Sequence, residues 1–270
     1  MRLYSIAIYL FLYVPIFIIV LFSFNAGRHA SELRGLSLQW YGKALANPFV
    51  VDAFVTSLVI ALTVAILSTL MGTAAALALQ RLKGTLRILF DGMIYISIMI
   101  PGIVIGIATL VALVTVFNFL NPILASVWPE GVKPLKLNMG YATVIAAHTL
   151  FTMSLVIILV RARIVGMDRT LIEASTDLYA TPWRTFYQIT LPQIFPAILS
   201  GFLLSFTFSF DDFIISFFVA GANTTLPVYI FSSIRRGITP EVNAIGTMVL
   251  AISLILLMAA QYLLHARTNR

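Results

Sequence analysis

The sequence contains little that could bind a metal, hold a nucleotide or keep a protein soluble. None of its 270 residues is cysteine, which excludes disulfide bonds and thiolate metal ligands. It also lacks a G-x-x-x-x-G-K-[ST] loop, the segment that cradles the phosphates of ATP. Only 10% of the residues are charged, against about 25% in a typical soluble domain. We therefore expect no metal site, no nucleotide site on this chain and no soluble fold.

Much of the sequence consists of long apolar runs without charged residues. Six runs lack Asp, Glu, Lys and Arg: 3–27, 53–80, 92–129, 137–160, 185–210 and 242–266. A helix needs about 20 apolar residues to cross a bilayer core, so each run is long enough. The sequence predicts an all-α integral membrane protein with about six transmembrane helices, near residues 4–24, 54–79, 90–118, 140–160, 194–217 and 244–264. The first run lacks a small-residue cleavage site, so we expect it to be a retained helix.

The third run has room for one tilted helix and a re-entrant piece. Pro101-Gly102 predicts a kink in it, and Asn121-Pro122 predicts its end. In the fourth run His148 stands alone, and we expect it to have a packing role with its polar atoms satisfied.

Basic residues cluster in short segments between the runs. They are Arg81, Lys83, Arg87, Arg161, Arg163, Arg169, Arg267 and Arg270. Because cytoplasmic loops are enriched in Lys and Arg, this pattern predicts that both termini are cytoplasmic. The outer loops are then 25–52, 119–139 and 218–243. The same pattern accounts for the net charge of +7, so we expect membrane lipid and no nucleic acid as a partner.

Residues 170–192, TLIEASTDLYATPWRTFYQITLP, are too polar to cross a membrane. Thr170 with Glu173 predicts a capping box, and Thr181-Pro182 predicts the start of a second helix that Pro192 ends. Trp183, Phe186, Tyr187 and Leu191 share one apolar face of that helix. Such a hairpin either lies on the membrane or docks a soluble partner. Glu173 and Asp177 favour docking, because anionic lipids repel acids.

This segment resembles the EAA loop in the membrane subunits of binding-protein-dependent ABC importers. Their pattern is E-A-A-x-x-x-G-A, five residues, then F-x-x-I-x-L-P. The matching residues are Glu173, Ala174, Ser175, Ala180, Phe186, Ile189, Leu191 and Pro192. The resemblance implies that these residues, with Tyr179, couple the chain to an ATPase subunit. Tyr179 replaces the family's glycine, so it either accepts a left-handed backbone or the turn is built differently.

Further stretches resemble the same family. LSLQWYGKALAN and DAFVTSL are similar to its outer loop and second span, although Thr56 replaces a common asparagine. SFTFSFDDFIISFFVAG and TLPVYIFSSIRRGITPEVNA resemble the spermidine and putrescine branch. The resemblance implies a first helix and outer loop at 1–52. A type I ABC importer permease domain then follows at 53–264, with a coupling loop at 168–192.

The resemblance also implies a non-enzymatic, multi-pass subunit of the bacterial inner membrane. Its expected partners are a homologous second permease subunit, two copies of a cytoplasmic ATPase and an extracytoplasmic solute-binding protein. ATP and Mg²⁺ would bind the ATPase, and no cofactor would bind this chain.

Asp211 and Asp212 interrupt one of the most apolar parts of the chain, in FSFDDFII. An aspartate at a bilayer centre costs roughly 2.5–3.5 kcal/mol, so the pair needs a wet cavity, a cationic partner or a place near the end of the span. They could pair with Arg235 or Arg236, relay protons or sodium, or attract a cationic substrate. In the last interpretation the substrate pathway includes Asp211, Asp212, Phe208 and Tyr229, with Asp212 favoured to face the cavity.

The resulting hypothesis is a permease subunit that carries polyamines. The alternatives are the same fold importing another small solute, or a secondary transporter or channel that uses the Asp211–Asp212 pair as an ion relay. The second alternative predicts inverted repeats and broken helices in matching halves, which the sequence does not display.

Overall fold

The computed structural model describes residues 2–28, 32–129, 132–168, 170–237 and 239–268. Arg169 and Arg270, two of the basic residues used to orient the chain, lie outside these ranges. The described secondary structure is helical, apart from an isolated antiparallel bridge between Asn25 and Leu36. The predicted all-α class is therefore confirmed.

The helices follow one another with short connections. They are α1 (Arg2–Ser23), α2 (Gln39–Ala46), α3 (Pro48–Leu79), α4 (Thr85–Met99), α5 (Gly102–Val127), α6 (Tyr141–Val165), α7 (Thr170–Asp177), α8 (Pro182–Thr185), a π-helical turn (Phe186–Thr190), α9 (Leu191–Asp211), α10 (Ile214–Val219), α11 (Leu226–Arg236) and α12 (Pro240–Thr268). The predicted outer loops 25–52 and 218–243 thus contain helices α2 and α11.

By length and composition, five helices within the described ranges can cross a membrane. They are Tyr4–Ser23, Pro48–Leu79, Gly102–Val127, Tyr141–Val165 and Pro182–Asp211. The described apolar part of α12 is shorter, at Pro240–Ile255. Large apolar side chains on α1 are exposed, among them Phe11 at 80%. This is the surface expected of a helix whose solvent is lipid rather than water.

The third predicted span, 90–118, is divided between α4 and α5. Ile100 has an extended backbone (φ −67°, ψ 129°), and Pro101 precedes the first residue of α5. A residue before proline is disfavoured in the α region, because the proline ring meets its backbone. The helix therefore breaks at the predicted position instead of bending.

The predicted end of this run at Asn121-Pro122 is wrong, because Pro122 lies inside α5. The Asn121 side chain does not serve a turn there. Its Oδ1 accepts from the Leu137 backbone N–H at 2.8 Å, and its Nδ2 donates to the Leu137 carbonyl at 3.1 Å. Both hydrogen-bonding groups of the amide are thereby used to hold the segment that leads into α6.

The chain divides into two compact units, residues 1–55 with 226–270 and residues 56–225. In the first unit α12 packs against α1 and α2. Trp40 of α2 is buried there, and its indole N–H donates to the Asn25 carbonyl at 2.8 Å. The tryptophan satisfies its one polar group while it fixes the chain between α1 and α2.

In the second unit α6 packs against α4, α5, α9 and α10. Val156 of α6 is fully buried between two glycines. A Cβ at Gly72 of α3 would lie 2.8 Å from the Val156 Cβ, and one at Gly201 of α9 would lie 3.2 Å from its Cγ1. Small residues let helix backbones approach closely, which is the usual basis of helix packing in membranes.

Candidate functional site

Helix α7 begins at Thr170, near the predicted position, and the side chain of Asp168 hydrogen-bonds to its first residue. Asp168 Oδ1 accepts hydrogen bonds from the Thr170 hydroxyl at 2.7 Å and from the Thr170 N–H at 2.9 Å. Both bonds, the hydroxyl one first, lower the pKa of the Asp168 carboxyl because they stabilise its ionised form. The residue before Thr170 lies outside the described ranges, so the predicted capping box with Glu173 stays a prediction.

The turn after α7 has a strained backbone at Tyr179. Its φ is +57°, and no other described non-glycine residue has a positive φ. The Tyr179 N–H bonds to the Thr176 carbonyl at 3.0 Å, and the Ala180 N–H bonds to the Ser175 carbonyl at 3.1 Å. These bonds close the end of the helix in the way a glycine turn does. Of the two possibilities left open by the sequence, the tyrosine therefore accepts the left-handed conformation.

A buried hydrogen bond joins α7 to α8. The hydroxyl oxygens of Ser175 and Thr185 lie 2.8 Å apart, and both residues are buried. Glu173 and Ala174 are exposed beside them, and Ala180 is half-buried. The hairpin thus has a small polar interior, and its acidic first turn faces outward.

The outer surface of the hairpin is apolar and aromatic. Leu178 is 81% exposed, Tyr179 96%, Trp183 74% and Tyr187 63%. The Phe186 ring is half-buried and lies 5.9 Å from the Trp183 ring. Leu191 leaves this surface and packs against the buried cluster that contains Ile194 and Val160. The predicted single face is therefore divided between an exposed part and a part that joins the core.

Helix α8 begins at Thr181-Pro182 as predicted, and the Thr181 hydroxyl accepts from the Arg184 N–H at 3.4 Å. Pro192 does not end it, because the chain continues helically to Asp211. A π-helical turn over Phe186–Thr190 comes first, and the Leu191 N–H bonds to the Phe186 carbonyl five residues back. Proline lacks an N–H and its ring clashes with the carbonyl four residues earlier. We infer that the wider turn relieves this clash, which lets the helix pass through Pro192.

All eight residues expected to couple the chain to an ATPase lie in this continuous segment. Six of them belong to the hairpin or to the π-helical turn that follows it: Glu173, Ala174, Ser175, Tyr179, Ala180 and Phe186. The other two, Leu191 and Pro192, are the first residues of α9. The exposed residues Leu178, Trp183 and Tyr187 extend the same surface.

The two adjacent aspartates lie at a helix break. Helix α9 ends at Asp211, and Asp212 has an extended backbone (φ −70°, ψ 118°) before α10 begins at Ile214. The predicted span 194–217 is therefore interrupted after Asp211. Asp211 is exposed, whereas the Asp212 side chain is only 21% exposed. The break gives two neighbouring carboxylates different surroundings.

Asp212 is bound to α6 and to α10. Its Oδ2 lies 3.1 Å from His148 Nε2 and accepts from the Ser216 backbone N–H at 2.9 Å. The other ring nitrogen of His148 lies 2.8 Å from the Ser209 hydroxyl. His148 is buried with both nitrogens partnered, in agreement with the expected satisfied role. No local pattern indicates that Asp212 is one of the partners, because 64 residues separate the two.

Asp211 and Phe208 lie one helical turn apart and line the same open cavity. The cavity has a volume of about 460 Å³, and its walls are Thr207, Phe208, Asp211, Asp212, Phe213 and Ile214. Phe208 is 46% exposed, and its ring meets the Phe151 ring edge-on at 5.8 Å. The cavity thus combines a carboxylate with an available aromatic surface. Asp212, the acid favoured from the sequence, also lines this cavity, but Asp211 is the more exposed of the two.

Tyr229 belongs to the first unit, on α11. It is half-buried, and its hydroxyl lies 3.3 Å from Asn47 Nδ2, which also donates to Glu241 Oε1 at 3.0 Å. Tyr229 and Glu241 line a cavity of about 210 Å³. Arg236 of the same helix donates to the Ser233 hydroxyl at 3.3 Å. Sequence reasoning missed Glu241, whose place in the first turn of α12 gives it an ordinary structural explanation.

Comparison with known proteins finds a matching family model and similar permease proteins. The family model of the binding-protein-dependent transport system inner membrane component matches residues 68–270. The putrescine transport system permease protein PotI of Escherichia coli (strain K12) is 36% identical over 244 residues, which cover 89% of this chain and 82% of that protein. The spermidine/putrescine transport system permease protein PotC of the same strain is 32% identical over 264 residues, covering 97% and 93%.

The fold has a counterpart among solved structures. A chain of a bacterial ABC transporter involved in the import of the acidic polysaccharide alginate aligns with a TM-score of 0.77 at 17% identity. The alignment covers 97% of this chain and 93% of that one, so the helical architecture is shared almost throughout. This chain therefore belongs to the family of binding-protein-dependent transport system inner membrane components, and it is a multi-pass permease subunit of the inner membrane.

Proposed function

We propose that this chain forms half of the translocation pathway of an ATP-driven importer for polyamines such as putrescine and spermidine. A solute-binding protein delivers the polyamine, and a homologous permease subunit forms the other half. Two copies of a cytoplasmic ATPase bind ATP and Mg²⁺ and supply the energy. In this proposal the chain's own domain covers residues 53–264, after a first helix and outer loop at 1–52.

The observation that carries the proposal is the exposed Asp211 carboxylate at the end of an apolar helix, beside an open cavity of about 460 Å³. The relatives named for putrescine and spermidine transport support the same substrate class. A carboxylate is costly in a lipid environment, so an exposed one within a predicted span indicates contact with a polar pathway.

Polyamines match this chemistry. Their ammonium groups only donate hydrogen bonds, and a carboxylate only accepts them. Their charge is also attracted to the faces of aromatic rings. Asp211 and Phe208 supply both features on one cavity wall. Asp212 contributes by shaping the break next to Asp211. Tyr229 of α11 is proposed separately as an aromatic residue of the pathway.

The α7–α8 hairpin is the proposed coupling surface. Its exposed residues are apolar and aromatic, which suits a protein partner better than water. Glu173 and Asp177 are exposed on the same hairpin, and their charge disfavours an anionic membrane surface. We therefore assign the hairpin to the ATPase.

The ion-relay alternative fits these observations less well. Asp212 already accepts hydrogen bonds from His148 and the Ser216 backbone, which leaves Asp211 as the more available acid of the pair. The family match also indicates binding-protein-dependent transport. The other alternative is that the same fold imports another small solute. An experiment must distinguish this from polyamine import.

Reconstitution of the complete complex in proteoliposomes tests the proposal. ATP hydrolysis and solute uptake are measured with the binding protein present, for putrescine, spermidine, a neutral amino acid and sulfate. We expect the two amines alone to stimulate ATP hydrolysis and to accumulate inside. Stimulation by sulfate or the amino acid instead would contradict the polyamine assignment. Uptake driven by a proton or sodium gradient without ATP would favour the ion relay.

A further inference from the structure

His148 lies where three helices of the second unit meet. It belongs to α6, is 1% exposed, and contacts one residue of α9 and two residues after it. Nδ1 lies 2.8 Å from the Ser209 hydroxyl, and Nε2 lies 3.1 Å from Asp212 Oδ2 and 3.3 Å from the Ser216 hydroxyl. A single buried imidazole thus joins the end of α9 to the start of α10.

The partners determine which nitrogen carries the proton. An ionised carboxylate only accepts hydrogen bonds, so we assign the proton of the neutral imidazole to Nε2, which donates to Asp212. Nδ1 then accepts from the Ser209 hydroxyl. The bond made by one ring nitrogen fixes the role of the other, so Ser209 orients the imidazole towards Asp212.

Helix α6 also holds the other end of α10. The Thr143 hydroxyl donates to the Val219 carbonyl at 2.6 Å, at the last residue of α10. At the first turn of α10, the Ser216 N–H donates to the Asp212 carboxylate that His148 contacts. Two side chains five positions apart on α6 therefore fix both ends of this six-residue helix.

The direction of Asp211 depends on the same arrangement. Asp211 is the last residue of α9, and the backbone leaves the helix at Asp212. With the Asp212 carboxylate tied to α6 and α10, the break keeps one shape. A change in the break would turn Asp211 relative to the cavity that it lines with Phe208.

We propose that His148 is a positioning residue for transport: it fixes the Asp212 carboxylate and so keeps Asp211 at the edge of the cavity. The proposal rests on the proposed function of Asp211 as the acid that receives a polyamine. His148 itself does not contact the substrate.

Two amide variants separate the roles of the imidazole nitrogens. In His148→Gln, the nitrogen of the new side-chain amide can take the place of Nε2 and still donate to Asp212. The side chain in His148→Asn is shorter, and its amide takes the place of Nδ1. It can therefore reach Ser209 but not Asp212. We expect His148→Gln to retain most putrescine uptake by the reconstituted complex and His148→Asn to lower it by about tenfold or more.

A double-mutant cycle with Asp211→Asn distinguishes positioning from general destabilisation. If His148 acts through Asp211, the loss caused by His148→Asn should nearly disappear when Asp211 is already Asn. Ser68→Ala is the matched control, because it removes a buried 2.6 Å hydrogen bond between α3 and Thr152 of α6 and touches neither aspartate. We expect that control to transport putrescine at close to the wild-type rate.

The possible results test the role of Asp211 and the positioning role of His148 separately. Equal losses from His148→Asn in both backgrounds, or wild-type uptake by His148→Asn while Asp211→Asn is impaired, would overturn the positioning role alone. Wild-type uptake by Asp211→Asn would overturn the proposed role of Asp211 and the positioning role with it. Failure of both His148 variants to assemble, with normal assembly of Ser68→Ala, would show that His148 is required for folding and would also reject the positioning role.

Discussion

Ser175 of α7 and Thr185 of α8 share a buried hydrogen bond of 2.8 Å, the only described side-chain hydrogen bond between these two helices. We expect Ser175→Ala to destabilise the hairpin by about 1–3 kcal/mol, because it leaves a buried hydroxyl without its partner. Hydrogen exchange of the α7 and α8 amides in the assembled complex measures this loss. The double variant Ser175→Ala, Thr185→Val removes both polar groups and should recover part of the stability. Additive losses in the double variant would mean that the two hydroxyls do not depend on each other.

Tyr179→Gly should stabilise the turn after α7. The left-handed backbone costs a non-glycine residue about 1–2 kcal/mol, and glycine adopts it freely. Slower hydrogen exchange at Ala180 would report the gain. Leu178→Gly is the matched control, because Leu178 is similarly exposed but its φ is not positive, and it should not stabilise the turn. Loss of ATPase binding by Tyr179→Gly would show that the exposed ring makes a contact that glycine cannot replace.

Glu173→Lys should weaken assembly with the ATPase and leave membrane insertion intact. It reverses an exposed charge in the first turn of α7, where the helix dipole favours an acid by about 0.3–1 kcal/mol, and it does so within the proposed docking surface. Co-purification of the ATPase measures assembly. Asp52→Lys makes the same change of charge at an exposed position outside the hairpin and should not affect co-purification. Normal ATPase yield and transport with Glu173→Lys would show that the hairpin is misassigned.

The two neutralised aspartates should behave differently. Asp211→Asn removes an exposed charge and should lower polyamine uptake by about tenfold, equivalent to about 1.4 kcal/mol, without loss of thermal stability. Asp212→Asn changes a group bound to His148 and Ser216, so we expect it to lower the melting temperature as well. Uptake and melting temperature are measured for each single variant. A stable Asp211→Asn variant with undiminished polyamine uptake would contradict the cation-pathway assignment.

Gly72→Ala should destabilise the second unit. The new Cβ would lie 2.8 Å from the Val156 Cβ on a buried helix face, and overpacking of this kind typically costs about 1–3 kcal/mol. Gly92→Ala on α4 is the control, because no described atom outside its own stretch of helix backbone lies within 4 Å of an added Cβ. Alanine there should be neutral or stabilising by about 0.5–1 kcal/mol. The melting temperature measures both changes, and a Gly72→Ala variant that melts like the wild type would contradict the close packing of α3 against Val156.

Local patterns in the sequence predicted much of the fold. Apolar runs located the spanning helices, and Thr181-Pro182 located the start of α8, because caps and hydrophobic length act within a few residues. The missing glycine at Tyr179 marked the turn after α7 as unusual, although it left open whether the tyrosine accepts the left-handed backbone or the turn is built differently. The helix ends predicted at Pro192 and Pro122 were wrong, because proline interrupts a helix only when the surrounding backbone cannot adjust. The pairing of Asp212 with His148 could not be predicted, because it depends on how α6 packs against α9 and α10.

The continuous helical path from Pro182 to Asp211 has the proposed coupling hairpin at one end and the exposed acid at the other. At 1.5 Å per residue, its 30 residues have a contour length of about 45 Å. If an ATPase moves the hairpin as proposed, the motion can pass along this helix to the carboxylate without crossing a loop. The π-helical turn over Phe186–Thr190 is the irregular section of that path, and it lies next to the hairpin, so a hinge in the helix would be expected there first.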